Sequence, residues 1–135
     1  MKFEHYALNV PDSVAVAYWY AKNCRMKIVK AIDVEPLTRF LADETGRVVL
    51  EICSNLAVEM PDFARMDSLE YHLAFAVDDP EEEKARLQEA GARFEETVQP
   101  SEGTKLLMMR DPFGMALQLC KRAEPFRQRR IRNPQ

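Results

Sequence analysis

HLAFAVDDPEEEKARLQEAG, residues 72–91, reads as a strand running into a helix. YHLAFAV (71–77) is apolar, short and without helical period, as a strand should be. DDPEEEKARLQEAG (78–91) carries the signs of a helix at both ends. Asp79 is placed to cap the free N–H groups, and Pro80 suits the first helical position. Glu81, Glu82 and Glu83 fill the first turn, where the helix dipole favours a solvated acidic start. Gly91 ends the segment. Downstream, ARFEETV (92–98), TKLLMMR (104–110) and GMALQLC (114–120) read as three strands, the last two joined by a turn at Asp111–Pro112–Phe113–Gly114. The order is βαβββ.

The same order occurs upstream. A shift of 67 residues lays His5 on His72, Ala7 on Ala74, Val10 on Val77 and Asp12 on Asp79. It also lays Leu50 on Leu117, Glu51 on Gln118 and Cys53 on Cys120. FEHYALNV (3–10) is the first strand. PDSVAVAYWYAKN (11–23) is a helix capped by Asp12 or Ser13, with Val14, Tyr18 and Ala21 at helical spacing. Tyr18, Trp19 and Tyr20 are expected to pack it on its sheet. MKIVKAIDV (26–34), TRFLADE (38–44) and RVVLEIC (47–53) complete the unit, with a turn at Thr45–Gly46. The chain is therefore expected to be an α+β protein built from two βαβββ modules, 3–53 and 70–121. A linker, 54–69, joins them within one domain, 1–121. A polar tail, 122–135, carries Arg127, Arg129, Arg130 and Arg132.

Composition sets the outer bounds. The chain has 135 residues, 47% hydrophobic and 30% charged, with net charge −3, as expected of a globular protein. There is no basic field to recruit nucleic acid and no apolar run of the roughly 20 residues a membrane span needs. The start, MKFEHYALNV, puts Glu4 and His5 where a signal peptide needs an unbroken apolar core, so a cytoplasmic location is expected. Cys24, Cys53 and Cys120 are odd in number and widely spaced, which fits reduced thiols.

Four polar residues interrupt apolar strands at equivalent positions. His5 and His72, the two histidines of the chain, lie in the first strand of each module, and Glu51 and Gln118 in the last. A buried polar group costs a few kcal/mol unless it finds a partner. If first and last strands are neighbours, His5 stands beside Glu51 and His72 beside Gln118. Two imidazoles, a carboxylate and an amide oxygen make a reasonable set for Zn²⁺, Ni²⁺, Co²⁺, Mn²⁺ or Fe²⁺. A single strand histidine is more often a satisfied core or rim residue. The matched pair is what points to a divalent metal ion. Cys53 and Cys120, each two residues beyond a proposed ligand, share its face of the strand and read as small buried hydrophobes. Met108 and Met109 read as core or cleft wall.

HLAFAVDDPEEEKARLQEAGARFEE followed by RDPFGMALQLC, together with HYALNVPD, WYAKNCRMKIV and VVLEIC, resembles the vicinal oxygen chelate superfamily, the glyoxalase and bleomycin-resistance fold. The resemblance covers residues 3–121 and implies the same two βαβββ modules, paired within a chain or across a homodimer. It implies that His5, Glu51, His72 and Gln118 hold one divalent metal ion. Small bacterial glyoxalase I enzymes are similar in length and in His5, Glu51 and His72, but carry Glu at the fourth position. Gln118 departs from them. An amide can offer oxygen to a cation but takes no proton at neutral pH. Glu51 is then the one catalytic carboxylate. Glyoxalase I also has Arg where this chain has Asn9, whereas Asn55 matches a family Asn and is expected to bind substrate. Cys24–Arg25 replaces the usual Leu-Gly after the first helix.

The expected function is that of a metal-dependent glyoxalase-like lyase or isomerase. It would move a proton between adjacent carbons of a small oxygenated substrate through an enediolate. The alternative is a non-catalytic ligand-binding or antibiotic-sequestering protein of the same fold. An extradiol-type dioxygenase ranks third, because its fourth position calls for a carboxylate.

Overall fold

The computed structural model describes residues 1–126; the arginines expected in the tail, Arg127, Arg129, Arg130 and Arg132, lie outside them. Two compact units divide the chain, one from Met1 to Phe63 and one from Ala64 onward. Each is a βαβββ module.

In the first unit, β1 (Tyr6–Asn9) leads into α1 (Ser13–Asn23), followed by β2 (Lys27–Ala31), β3 (Arg39–Ala42) and β4 (Val48–Cys53). The sheet order is β1-β4-β3-β2, so the first and last strands are neighbours and parallel. Asp12 caps α1 by accepting from the Ala15 N–H at 2.9 Å. Its neighbour Ser13 is buried, donates from Oγ to the Leu37 carbonyl at 2.7 Å, and gives its N–H to Ser54 Oγ at 2.8 Å. These bonds fix the rotation of α1. Ser13, Val16, Ala17 and Tyr20 therefore turn inward, at the spacing of one helix face. The Val14 and Tyr18 stripe points outward, 42% and 63% exposed, which corrects the expectation that Tyr18 packs on the sheet. Tyr20 and Ile52 are fully buried, each worth roughly 1.5–3 kcal/mol.

In the second unit, β5 (Leu73–Ala76) leads into α2 (Pro80–Glu89), then β6 (Arg93–Ser101), β7 (Thr104–Arg110) and β8 (Ala116–Lys121), with sheet order β5-β8-β7-β6. Asp79 caps α2 by accepting from the N–H groups of Glu81 and Glu82 at 3.0 and 3.1 Å. Glu83 differs from the expected solvated start: it is buried and bonded to Arg86, one turn along the same helix. Strand β6 runs past the expected Val98 because it pairs with β7 as far as Ser101↔Thr104. Pro100 is tolerated there because β6 is the sheet edge.

The equivalent spacing seen in the sequence reaches the backbone pairing. Every β1/β4 partner pair, from Tyr6↔Leu50 to Asn9↔Cys53, recurs 67 residues later in β5/β8, from Leu73↔Leu117 to Ala76↔Cys120. The next bond agrees as well: Val10 N–H to Cys53 carbonyl at 2.8 Å, Val77 N–H to Cys120 carbonyl at 2.9 Å.

Candidate functional site

The parallel pairing puts Ala7 opposite Glu51 and Ala74 opposite Gln118. Side chains two residues apart on an extended chain share a face. His5 therefore shares the Glu51 face, and His72 the Gln118 face. Both histidines stand one residue before their strand, not inside it as expected.

In the first unit the pair is formed. His5 Nε2 lies 2.8 Å from Glu51 Oε2. The other ring nitrogen, Nδ1, lies 2.9 Å from Glu4 Oε1. The edge of the imidazole meets Phe40, with centroids 5.5 Å apart and planes at 82°. Phe40 is the β3 partner of Glu51, so it walls the same face. The His5 and Glu51 side chains are 27% and 25% exposed, so the contact is weak as a stabilising ion pair. Its chemistry is more telling. A carboxylate only accepts, and each ring nitrogen faces one, so the ring donates to Glu4, to Glu51 or to both according to its tautomer and charge. A proton or a metal cation can occupy the space between Nε2 and Oε2. Two ligands about 2.1 Å from a metal and at right angles are about 3 Å apart, so the donors fit a divalent ion.

The second unit repeats part of this arrangement. His72 Nδ1 lies 2.7 Å from the Ser68 carbonyl. A carbonyl only accepts, so Nδ1 donates to it. Gln118 Oε1 accepts from Cys120 Sγ at 3.0 Å. Among the described residues, no three His, Cys, Asp or Glu side chains come together as a group that could hold a metal ion.

The cysteines behave as thiols. Burial, and then the Glu51 carboxylate, push the Cys53 thiol up against the pull of the Asn55 N–H. Burial likewise raises Cys120 despite the Arg122 charge. Only a thiolate is a strong metal ligand. Cys53 Sγ instead donates to Asn9 Oδ1 at 3.7 Å. Asn9 also grips the Asn55 backbone from both sides, accepting from its N–H at 2.7 Å and donating to its carbonyl at 3.0 Å. The Asn55 side chain accepts from the Ala57 N–H at 3.0 Å, which shapes the exit from β4.

Sequence reasoning found the four polar residues but missed what holds them. Glu4 was visible as a charge beside His5. The Ser68 carbonyl is backbone and has no signature in the sequence.

The chain matches the family model described as a glyoxalase-like domain over residues 5–120. Three solved structures are similar in fold. A glyoxalase family protein from Enterococcus faecalis is 25% identical, with 89% of this chain and 97% of that one covered at a TM-score of 0.66. Glyoxalase I from Zea mays is 24% identical, with 91% of this chain covered at a TM-score of 0.70; the match spans 45% of that longer chain. TnmS3, an antibiotic binding protein from a Streptomyces species, is 17% identical, with 88% of this chain and 93% of that one covered at a TM-score of 0.66. No curated protein matches.

Proposed function

The chain belongs to the glyoxalase-like domain family, and from that premise we propose that it is a metal-dependent lyase or isomerase acting on a small oxygenated substrate. The observation that carries this reading is the His5 Nε2 to Glu51 Oε2 contact at 2.8 Å, on a strand pair whose register is repeated under His72 and Gln118. His5, Glu51, His72 and Gln118 would be the ligands, and a divalent ion bound by them would supply Lewis-acid polarisation of substrate oxygens. Glu51 is the proton carrier, since it is the sole member of the set that can both lose and regain a proton as a carboxylate. Gln118 contributes an oxygen and takes no proton. The Nδ1 of His72 is held by the Ser68 carbonyl, while His5 presents Nδ1 to Glu4 and Nε2 to Glu51. Asn55 borders the substrate, held at the strand exit by Asn9. The protein works as a homodimer in the cytoplasm.

Metal analysis of protein purified without chelator tests this reading. We expect stoichiometric divalent metal, lost in His5→Ala and in His72→Ala. Wild-type protein that takes up no divalent metal would overturn it. A second reading draws on Gln118, which removes one carboxylate from the set. A protein without a second base could bind a ligand and leave it unchanged, as the antibiotic binding protein of similar fold suggests. Metal-free protein that binds an aromatic antibiotic would favour that reading.

A further inference from the structure

The Nδ1 atoms of the two histidines are held by different means. In the second module the acceptor for His72 Nδ1 is the Ser68 carbonyl. Ser68 lies in a turn closed by Glu70 N–H to the Asp67 carbonyl at 2.9 Å and by Leu69 N–H to Asp67 Oδ1 at 2.8 Å. The tether is backbone, and Ser68 is buried. In the first module the acceptor for His5 Nδ1 is the side chain of its own neighbour, Glu4. The residue equivalent to Glu4 in the second module is Tyr71, whose hydroxyl accepts the Ala116 N–H at 2.8 Å.

We propose that Glu4 is a positioning residue for His5: its carboxylate, 2.9 Å from Nδ1, sets the ring rotation that places Nε2 beside Glu51 Oε2. Its relevance to metal uptake rests on the metal-dependent reading above. Without that partner the imidazole can turn about its Cβ–Cγ bond, which carries Nε2 away from Glu51. The acceptor is also charged. An ionised partner on the far nitrogen makes an imidazole a stronger electron donor than a carbonyl partner does, so His5 becomes the tighter-binding of the two histidines. Loss of such a partner typically costs 10–100-fold in metal affinity. The Glu4 side chain is 81% exposed, which puts the effect at the low end of that range.

The test uses the full chain as wild type, Glu4→Ala and Glu4→Gln. Two measurements are made: the imidazole N–H signals by ¹⁵N-edited NMR, with and without zinc, and the zinc dissociation constant by titration. In Glu4→Ala the His5 Nδ1–H signal should be lost to exchange with water, while the His72 signal persists as an internal control. Zinc affinity should fall about tenfold. Glu4→Gln keeps an accepting oxygen, so it should retain the signal and recover part of the affinity. A Glu4→Ala protein with the wild-type His5 signal and wild-type affinity would overturn the proposal and leave the metal reading intact. Wild-type protein that takes up no zinc would overturn the metal reading, and the metal-free NMR signal would still decide the role of Glu4.

Discussion

Gly114 shows how closely a single position can be specified. Its φ is +88°, and a Cβ built there would come within 2.6 Å of the Ala64 Cβ and 3.1 Å of the Ala64 Cα. The backbone term alone disfavours an L side chain by about 1–2 kcal/mol, and the contact adds to it. Gly114→Ala should therefore lower stability by about 2–4 kcal/mol, seen as a fall in Tm of roughly 10 °C. Adding Ala64→Gly should restore part of the loss; no recovery would show that the contact contributes nothing. The buried Arg110 secures the same place, donating to Glu95 at 2.8 Å, to the Gly114 carbonyl at 3.2 Å and to the Met66 carbonyl at 2.8 Å. The turn was legible in the sequence from its Asp-Pro-x-Gly pattern. The role of Arg110 was not, because it donates to the backbone carbonyls of Gly114 and Met66. The same holds at the site: the four polar residues stood out against apolar strands, whereas the partner of His72 is the Ser68 carbonyl.

The two helices differ in how much of their placement their own sequences specify. Helix α2 has a signal at each end, and Asp79, Pro80 and Gly91 act where the sequence put them. Asp79→Ala should cost about 1 kcal/mol, measurable by urea denaturation, because the N–H groups of Glu81 and Glu82 lose their acceptor. Asp79→Asn should stay within about 0.5 kcal/mol of wild type, since Asn caps as well as Asp. An equal loss in both variants would mean that charge, not capping, is at work. Helix α1 carries apolar residues on two stripes, 14-18-21 and 16-17-20. Periodicity cannot choose between them. The choice comes from Ser13, whose partners Leu37 and Ser54 are distant in sequence. Sheet order was legible for a different reason: the match of His5 and Glu51 to His72 and Gln118 had meaning if first and last strands were neighbours.

At the scale of the molecule, duplication was the most legible feature, because an offset of 67 survives from residue identities to backbone pairing. Substrate was the least legible, since the fold hosts unrelated activities and function lies in the site. A metal that binds the native chain and not the unfolded one stabilises it by mass action, by about 2.7 kcal/mol at 100 times its dissociation constant. Zinc should therefore raise the Tm of the wild type, a chelator should reverse the rise, and His72→Ala should abolish it. An unchanged midpoint with zinc would count against metal binding. The pairing of first strand with last in each sheet also sets an order in time. A ribosome releases His5 early, but its Glu51 partner emerges only with the closing strand of that module. By then Gln118 has yet to be translated, so biosynthesis can finish one half of the donor set while the other half is still message.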